Sequence, residues 1–438
     1  MTEFAASASP ADTALPQQPT EIKPRVVAAG FIGSLLEYFD FGAYGYLAVI
    51  IAGHFFVSED PTSALLSTLL TFAAAFLLRP IGGVIFGYFG DKYGRKKVLA
   101  FTIFMMAVAS GLIGVLPTYA AIGVGATTLL VLARCAQGLA ASGEVSGAAA
   151  FVAEFSPNHR RGFLCSTIQT GALGGALLAS LVITLLNTVL GEDAMRDWGW
   201  RIPFLAAIPL GLFGLWIRSQ LQETPRFVAP KEHAVANPMK ELFRSHRQAL
   251  AICLGLSILL FSAYYVAYVY VALHLQTVVG MSSTTTFWFN SITLAVATIC
   301  MPFFGLLSDK VGRRPVFLGA TLAALVIPIP AFMLFEQGGA ITLVSMVVLG
   351  LIDSALMGVA FSAFTEMFPT RVRYTGIALG FNLGAALAGG FSPYICTWLV
   401  KQTGNSLSPA YFLMATALIT LAAAVPMRET VGSALKDA

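Results

Sequence analysis

Charge is what this sequence has least of. Only 11% of its 438 residues are Asp, Glu, Lys or Arg, against 57% hydrophobic, whereas about a quarter of a soluble domain is charged. The shortage excludes an ordinary water-soluble domain. Cysteine is scarce too: Cys135, Cys165, Cys253, Cys300 and Cys396 all fall in apolar stretches without a Cys-x-x-Cys pair, which argues against a disulfide framework or a metal knuckle. The histidines show no metal-ligand spacing; His274 is placed at the outer end of a helix, and His54, His159, His233 and His246 in loops. With no nucleophile–base pair, cofactor loop or metal cluster in view, neither an enzyme nor a bound cofactor is expected. Residues 1–24, rich in Ala, Ser, Thr, Pro and Gln, lack the basic start and short apolar run of a secretory signal and read as a disordered cytosolic tail.

What is abundant is apolar length. Mean hydropathy is +0.78, and the apolar runs reach the ~20 residues a helix needs to cross ~30 Å of hydrocarbon. Apolar length and flanking charge predict twelve helices, at 26–52, 64–89, 98–116, 126–154, 163–190, 200–221, 248–279, 285–307, 315–335, 340–365, 375–400 and 409–427. Of the 26 Lys and Arg, 21 fall on alternate connections and the tails, three (Arg196, Arg201, Lys401) on the other side, and two (Arg79, Arg134) inside helices. That asymmetry places both termini in the cytosol of a bacterial-type inner membrane. The net charge of +4 is thereby topogenic, and no basic patch on a soluble face suggests nucleic acid.

The chain repeats itself. Gly87, Asp91, Lys92, Gly94 and Arg95 after the second helix recur as Gly305, Asp309, Lys310, Gly312 and Arg313 after the eighth, at a constant offset of 218 residues. Glu154 and Pro157 recur as Glu366 and Pro369, 212 residues on. Two six-helix halves in the same orientation follow, over 25–221 and 248–430, with a charged cytosolic linker over 222–247 and a tail over 431–438. The duplicated Gly-x-x-x-Asp-Lys-x-Gly-Arg-Lys/Arg loop resembles the signature of the major facilitator superfamily. Its acids can face a neighbouring helix N-terminus or pair with arginines. Asp91, Arg95, Glu154, Arg161, Asp309, Arg313, Glu366 and Arg373 are therefore the candidates for a conformational latch between the halves. The plainer reading is that the basic residues only set topology, which would not demand the acids.

Further runs carry a finer resemblance: Glu37-Tyr38-Phe39-Asp40-Phe41-Gly42, Arg79-Pro80-Ile81-Gly82-Gly83, Gln137-Gly138 with Gly143-Glu144, Trp200-Arg201-Ile202-Pro203-Phe204, Glu223-Thr224-Pro225, Phe381-Asn382 and Ser392-Pro393. From about Val26 to Thr430 the chain resembles the metabolite:proton symporter family, most of all its proline- and betaine-carrying members. The resemblance implies a monomeric transporter that needs no cofactor beyond a proton gradient and whose partners are a small solute, protons and the bilayer. Three departures stand against it. Ser142-Gly143-Glu144-Val145 replaces a usual Gly-Gly-Glu-Tyr run, and Ser166-Thr167 a usual Ser-Trp pair. The chain ends at Ala438, eight residues after Thr430, so the coiled-coil extension of the osmosensing members is absent and osmotic gating is not implied.

Ionisable residues inside helices point to a site whatever the family, because each costs roughly 2.5–3.5 kcal/mol at mid-bilayer. At 1.5 Å per residue, Glu37, Arg79 and Arg134 lie ~18 Å and Asp40 ~22 Å from the cytosolic face. Glu37 and Asp40, three apart, share a helix face and are expected to interact, leaving one carboxyl to carry the proton; Glu144 could pass it on. The rival reading pairs both acids statically with the two arginines. Substrate contacts are assigned to Arg79, Arg134, Tyr38, Gln137, Tyr264, Tyr268 and Asn382. The rings of Tyr38, Phe39, Tyr44, Tyr264, Tyr265, Tyr268 and Tyr270 serve either as packing or as a surface for a quaternary ammonium.

These features favour uptake of a zwitterion or of a mono- or dicarboxylate by alternating access. A drug:proton antiporter is the alternative, but the proline of its fifth-helix motif is missing from Gly171-Ala172-Leu173-Gly174-Gly175. A membrane receptor would not explain the duplicated loop.

Overall fold

The computed structural model describes residues 24–93, 95–142, 144–219 and 238–435. The side chains of Asp91, Arg95 and Glu144 lie outside those described, as do Gly143, Glu223 and most of 222–247. Among the described residues the only regular structure is helical. Seven helices are long and apolar enough to cross a membrane, and ten if each of three bent pairs counts as one span. The shorter apolar stretches Ala100–Val115 and Ser408–Ala424 bring the total to twelve.

In chain order, α1 is Pro24–Tyr46, continued beyond a 63° bend by Ala48–Phe55. α2 is Pro61–Leu77 followed by Arg79–Tyr93, α3 is Arg95–Val115, and α4 is Val124–Ala140 followed by Glu144–Phe155. α5 is Arg161–Leu190 and α6 is Arg201–Ser219. α7 is Arg247–Thr277, α8 Ser283–Val311, and α9 Arg313–Val326 with Pro328–Phe335 beyond a 46° bend. α10 is Gly339–Met367, α11 Thr370–Thr403 and α12 Ser408–Ala424. A short helix, Pro238–Ser245, lies within the expected linker.

Local chemistry explains where the helices stop and bend. Asp60 caps α2 by accepting from the Thr62 N–H at 3.0 Å, with Pro61 at the first helical position, where a missing N–H costs nothing. Pro80 cannot donate, and α2 breaks two residues before it, at Leu78, with Arg79 opening the second segment. Gly312, at φ +108°, makes the turn between α8 and α9. Three stretches widen to π-helix, Met195–Gly199 before α6, Tyr265–Tyr270 in α7 and Ala385–Gly389 in α11, a local widening that recurs at functional sites.

Close helix contacts bring the inner faces together. A Cβ at Gly175 would lie 2.1 Å from the Leu35 carbonyl oxygen, so α5 approaches α1 backbone to backbone. α5 then runs beside α8, with Ser180 and Ser291 hydroxyls 2.8 Å apart midway. Large apolar side chains such as Phe101, Leu132, Phe213, Trp216, Ile299 and Phe303 are exposed; lipid tails, not water, are the solvent that makes such a surface stable. His274, expected at an interface, is instead buried, 5.3 Å from the Phe332 ring. Phe332 and Phe335 of α9 pack against its ring, a contact between distant segments that is not visible in sequence.

Candidate functional site

The mid-membrane charges come together in the N-terminal half. α1 brings Glu37 and Asp40, the break in α2 brings Arg79, and α4 brings Arg134 and Gln137; all five are buried, at 2% exposure or less. Glu37 pairs with Arg79 at 2.7 Å. Asp40 accepts from Gln137 Nε2 at 2.5 Å, and Gln137 Oε1 accepts from Arg134 at 2.7 Å. The same Nε2 reaches Ser110 of α3 at 2.8 Å. Each acid is thus drawn to its own cation, one directly and one through an amide. Position on a shared face permits contact, but a nearby guanidinium in low dielectric is the stronger attractor.

Both arginines also lie on aromatic faces. Arg79 sits 4.5 Å from the Phe76 centroid and 4.6 Å from Phe41, and Arg134 4.0 Å from Tyr44 and 5.3 Å from Phe72. Ring quadrupoles offset part of the cost of burying these cations. Nε and Nη2 of Arg134 and Nε of Arg79 still lack a hydrogen-bond partner, as do the Tyr38 and Tyr46 hydroxyls.

Across the boundary, the π-helical stretch of α7 turns tyrosines toward α1 and α2. Tyr265 packs edge-on against Phe72 and Phe76 at 5.5 and 5.2 Å, the rings that carry the arginines. Tyr38 meets Tyr264 at 5.2 Å, and Tyr264 meets Tyr268 at 5.3 Å. Asn382, of the predicted residues, lies apart from this cluster: it donates to the Ser142 carbonyl at the break in α4, at 3.1 Å.

Helix α10 holds a residue that sequence reasoning missed. Asp353 sits at the centre of Gly339–Met367 and is fully buried. As an ionisable side chain at the middle of a spanning helix, it carries the same insertion cost as Glu37. It escaped notice because no basic residue shares its depth in that half.

Of the proposed latch residues, Glu154, Arg161, Asp309, Arg313, Glu366 and Arg373 make ion pairs with one another. Asp309, from α8, accepts from the Gly162 and Phe163 N–H groups at the start of α5, at 2.8 and 2.9 Å. A Cβ at Gly162 would meet the Gly305 carbonyl oxygen at 2.5 Å, so glycine permits the approach. Arg313 pairs with Asp309 at 2.8 Å and with Glu366 at 3.0 Å, and Arg161 reaches Glu366 at 2.9 Å. Arg373 pairs with Glu154 at 2.9 Å. Sequence reasoning also missed Glu429, whose carboxylate accepts from the Arg313 and Arg314 N–H groups at 2.9 and 3.0 Å. Burial raises the Glu429 pKa, but the backbone N–H groups of Arg313, Val431, Thr430 and Arg314 outweigh it and hold the carboxyl below its usual range.

A helical membrane chain with a duplicated acid-and-arginine loop and a buried charge cluster matches a known family. The Major Facilitator Superfamily profile fits residues 30–393 and, again, 274–434. The chain belongs to the major facilitator superfamily. Its relatives are transporters. It is 37% identical over 431 residues to the proline/betaine transporter of Salmonella typhimurium, covering 94% of this chain and 85% of that one. It is 38% identical over 432 residues to the glycine betaine/proline/ectoine/pipecolic acid transporter OusA of Dickeya dadantii, with the same coverage. A putative proline/betaine transporter of Staphylococcus aureus is 39% identical over 404 residues, covering 91% of this chain and 86% of that one. Among solved structures, the proton:xylose symporter XylE bound to 6-bromo-6-deoxy-D-glucose superposes with a TM-score of 0.76 at 19% identity, covering 94% and 97% of the two chains. A D-xylose-proton symporter structure gives 0.74 at 21%, covering 94% and 99%. At those identities the structures speak to fold.

Proposed function

We propose that this chain takes up a small zwitterion of the betaine or proline type by proton symport, through alternating access of its two halves. The observation that carries the reading is the buried cluster of Glu37, Asp40, Arg79, Arg134 and Gln137 facing a layer of tyrosines from the other half. In this reading the arginine forks receive the carboxylate of the solute, and Glu37 or Asp40 takes the proton that the gradient delivers. Arginine is attached to each acid, so a substrate carboxylate that engages an arginine competes with the acid for it. Protonation of that acid then becomes cheaper, which couples the two events. Glu144 is the onward proton group, Tyr38, Gln137, Tyr264 and Tyr268 shape the pocket, and Asn382, bound to the Ser142 carbonyl, steadies the break in α4. The relatives reported above, named as transporters of proline and betaine and in one case also of ectoine and pipecolic acid, support the choice of a zwitterion over a mono- or dicarboxylate.

The protein acts in this reading as a monomer in a bacterial inner membrane, with no bound cofactor and with both termini cytosolic. Asp91, Arg95, Glu154, Arg161, Asp309, Arg313, Glu366 and Arg373 latch the cytosolic ends. The test is transport in proteoliposomes with labelled betaine or proline. Glu37→Gln or Asp40→Asn should abolish accumulation driven by a pH gradient while sparing solute exchange, which needs no net proton movement. Arg79→Gln or Arg134→Gln should weaken binding. If both acid variants still concentrate solute on the gradient, the coupling group lies elsewhere. A cysteine at Ser433, in a background without native cysteines, should resist an impermeant thiol reagent in intact cells.

A further inference from the structure

Asp353 is the buried charge that the arginine cluster leaves unexplained. It lies at the centre of α10 with no exposure, and the Tyr268 hydroxyl beside it spends its one proton on the Gly350 carbonyl, so among the described residues neither carboxylate oxygen receives a hydrogen bond. The arginines described above are engaged by other groups across the boundary or at the basic face. A carboxylate in such a place is expensive unless a cation joins it.

Its surroundings are aromatic and polar. Gly350, three residues earlier on the same helix face, accepts a hydrogen bond from the Tyr268 hydroxyl at 2.9 Å. A Cβ at Gly350 would lie 2.9 Å from Thr293 Cγ2, so α8 adjoins the same spot. From Tyr268 the rings continue toward the other half, Tyr264 at 5.3 Å from Tyr268 and Tyr38 at 5.2 Å from Tyr264. The Thr293 hydroxyl, the Asn290 side-chain oxygen and the Tyr38 hydroxyl, like the Asp353 oxygens, lack partners. Orphaned polar groups gathered at one boundary are what a polar ligand would satisfy.

We propose that Asp353, with the rings of Tyr38, Tyr264 and Tyr268, is the subsite for the positively charged nitrogen of the solute. This inference rests on the zwitterion reading above and deepens it. A quaternary ammonium donates no N–H, so ring faces and a carboxylate are the environment that suits it. A secondary ammonium would also donate to the Asp353 oxygens. The solute carboxylate lies toward Arg79 and Arg134 in the N-terminal half and its cation toward Asp353 in the C-terminal half. One small molecule thus neutralises charge on both halves at once, and a purely anionic solute satisfies only one of them.

The experiment compares glycine betaine with 3,3-dimethylbutyrate, which has the same shape with carbon in place of the charged nitrogen, by binding to purified full-length protein. The wild type should prefer betaine by about thirty-fold or more, the scale of a lost buried charge contact. Asp353→Asn should lose most of that preference while its affinity for 3,3-dimethylbutyrate stays within about three-fold, a marker that the carboxylate end is intact. Asp353→Glu, which keeps the charge, should retain a preference for betaine, reduced several-fold. Equal wild-type affinities would overturn the proposal even if the Asn variant does not purify folded. So would an Asn variant that weakens both compounds alike, or one that keeps the ratio and loses only pH-driven accumulation, which would make Asp353 a proton site. Wild-type binding of 3,3-dimethylbutyrate but not of betaine would sink this inference and the choice of a zwitterion while leaving an organic-acid transporter. Binding of neither would sink the reading of the whole site.

Discussion

The two ends of the molecule are closed by different physics. At the basic face, Arg161, Arg313, Asp309 and Glu366 form a network in which no side chain is more than 5% exposed, tied by Asp309 to the start of α5. From the charge cluster toward the opposite face the packing is mostly apolar and steric. A Cβ at Gly45 of α1 would lie 2.8 Å from Val269 Cγ1 of α7, and one at Gly390 of α11 would lie 2.7 Å from the Phe76 ring of α2. The charged contact there is Lys401 with Asp60, whose side chains are 33% and 47% exposed. A buried charge network is all-or-none, because each partner removed strands another. An interlock of ring against glycine gives way gradually. The contrast suits a transporter that must switch sharply at its basic face.

The largest expected effect breaks the first seal. Glu366→Gln removes the group that Arg161 and Arg313 share and should cost about 3–5 kcal/mol of folded or closed-state stability. Thermal unfolding in detergent, together with labelling of a cysteine at Thr365 or a neighbouring position, checks it; an unchanged melting temperature would mean the network is not buried as described. Next, Gly390→Ala wedges the second seal against Phe76 and should cost about 1–3 kcal/mol as overpacking. Raised labelling of a cysteine at Ser63 would report that the opposite face has been propped open.

A smaller effect is expected at Glu154, which is 31% exposed against a buried Arg373. Glu154→Gln should cost about 1 kcal/mol, and added salt should lessen the difference from wild type. The smallest belongs to Asp60. Hydrogen bonds from Lys401, Ser63 and the Thr62 N–H lower its pKa from 3.8 to about 2. A lowered carboxyl contributes stability at pH above its unfolded pKa and loses it as pH falls through the folded one. The melting-temperature difference between wild type and Asp60→Asn should therefore be slight and flat from pH 8 to 5, and close only between about pH 4 and 2. A difference that titrates near neutrality would place another group in this contact.

Helix number and the duplicated loops were legible because both are local. An apolar run long enough to span lipid must be a helix, and Asp309, Gly312 and Arg313 repeat their counterparts in register. Legible too was the shared depth of Glu37, Arg79 and Arg134, since rise per residue is constant in a helix. Their partners were not. The face spacing of Glu37 and Asp40 suggested a carboxylate pair, whereas the arrangement of α2 and α4 around α1 offers each acid a different partner. Asp353 was hidden for the opposite reason: its neighbours Tyr268, Thr293 and Tyr38 come from α7, α8 and α1, 60 residues or more away in sequence.

By itself, then, the sequence determined that this chain lives in lipid, how many times it crosses, and which charges are too costly to be there without purpose. Those properties follow from hydrophobicity and helix geometry, which act along the chain. Only the tertiary structure decided which charge meets which, that the α7 tyrosines adjoin the arginine rings, and that Asp353 stands without a cation. Such choices depend on how helices distant in sequence turn their faces to one another, and in a low-dielectric interior a few ångströms decide between a paired charge and an orphaned one.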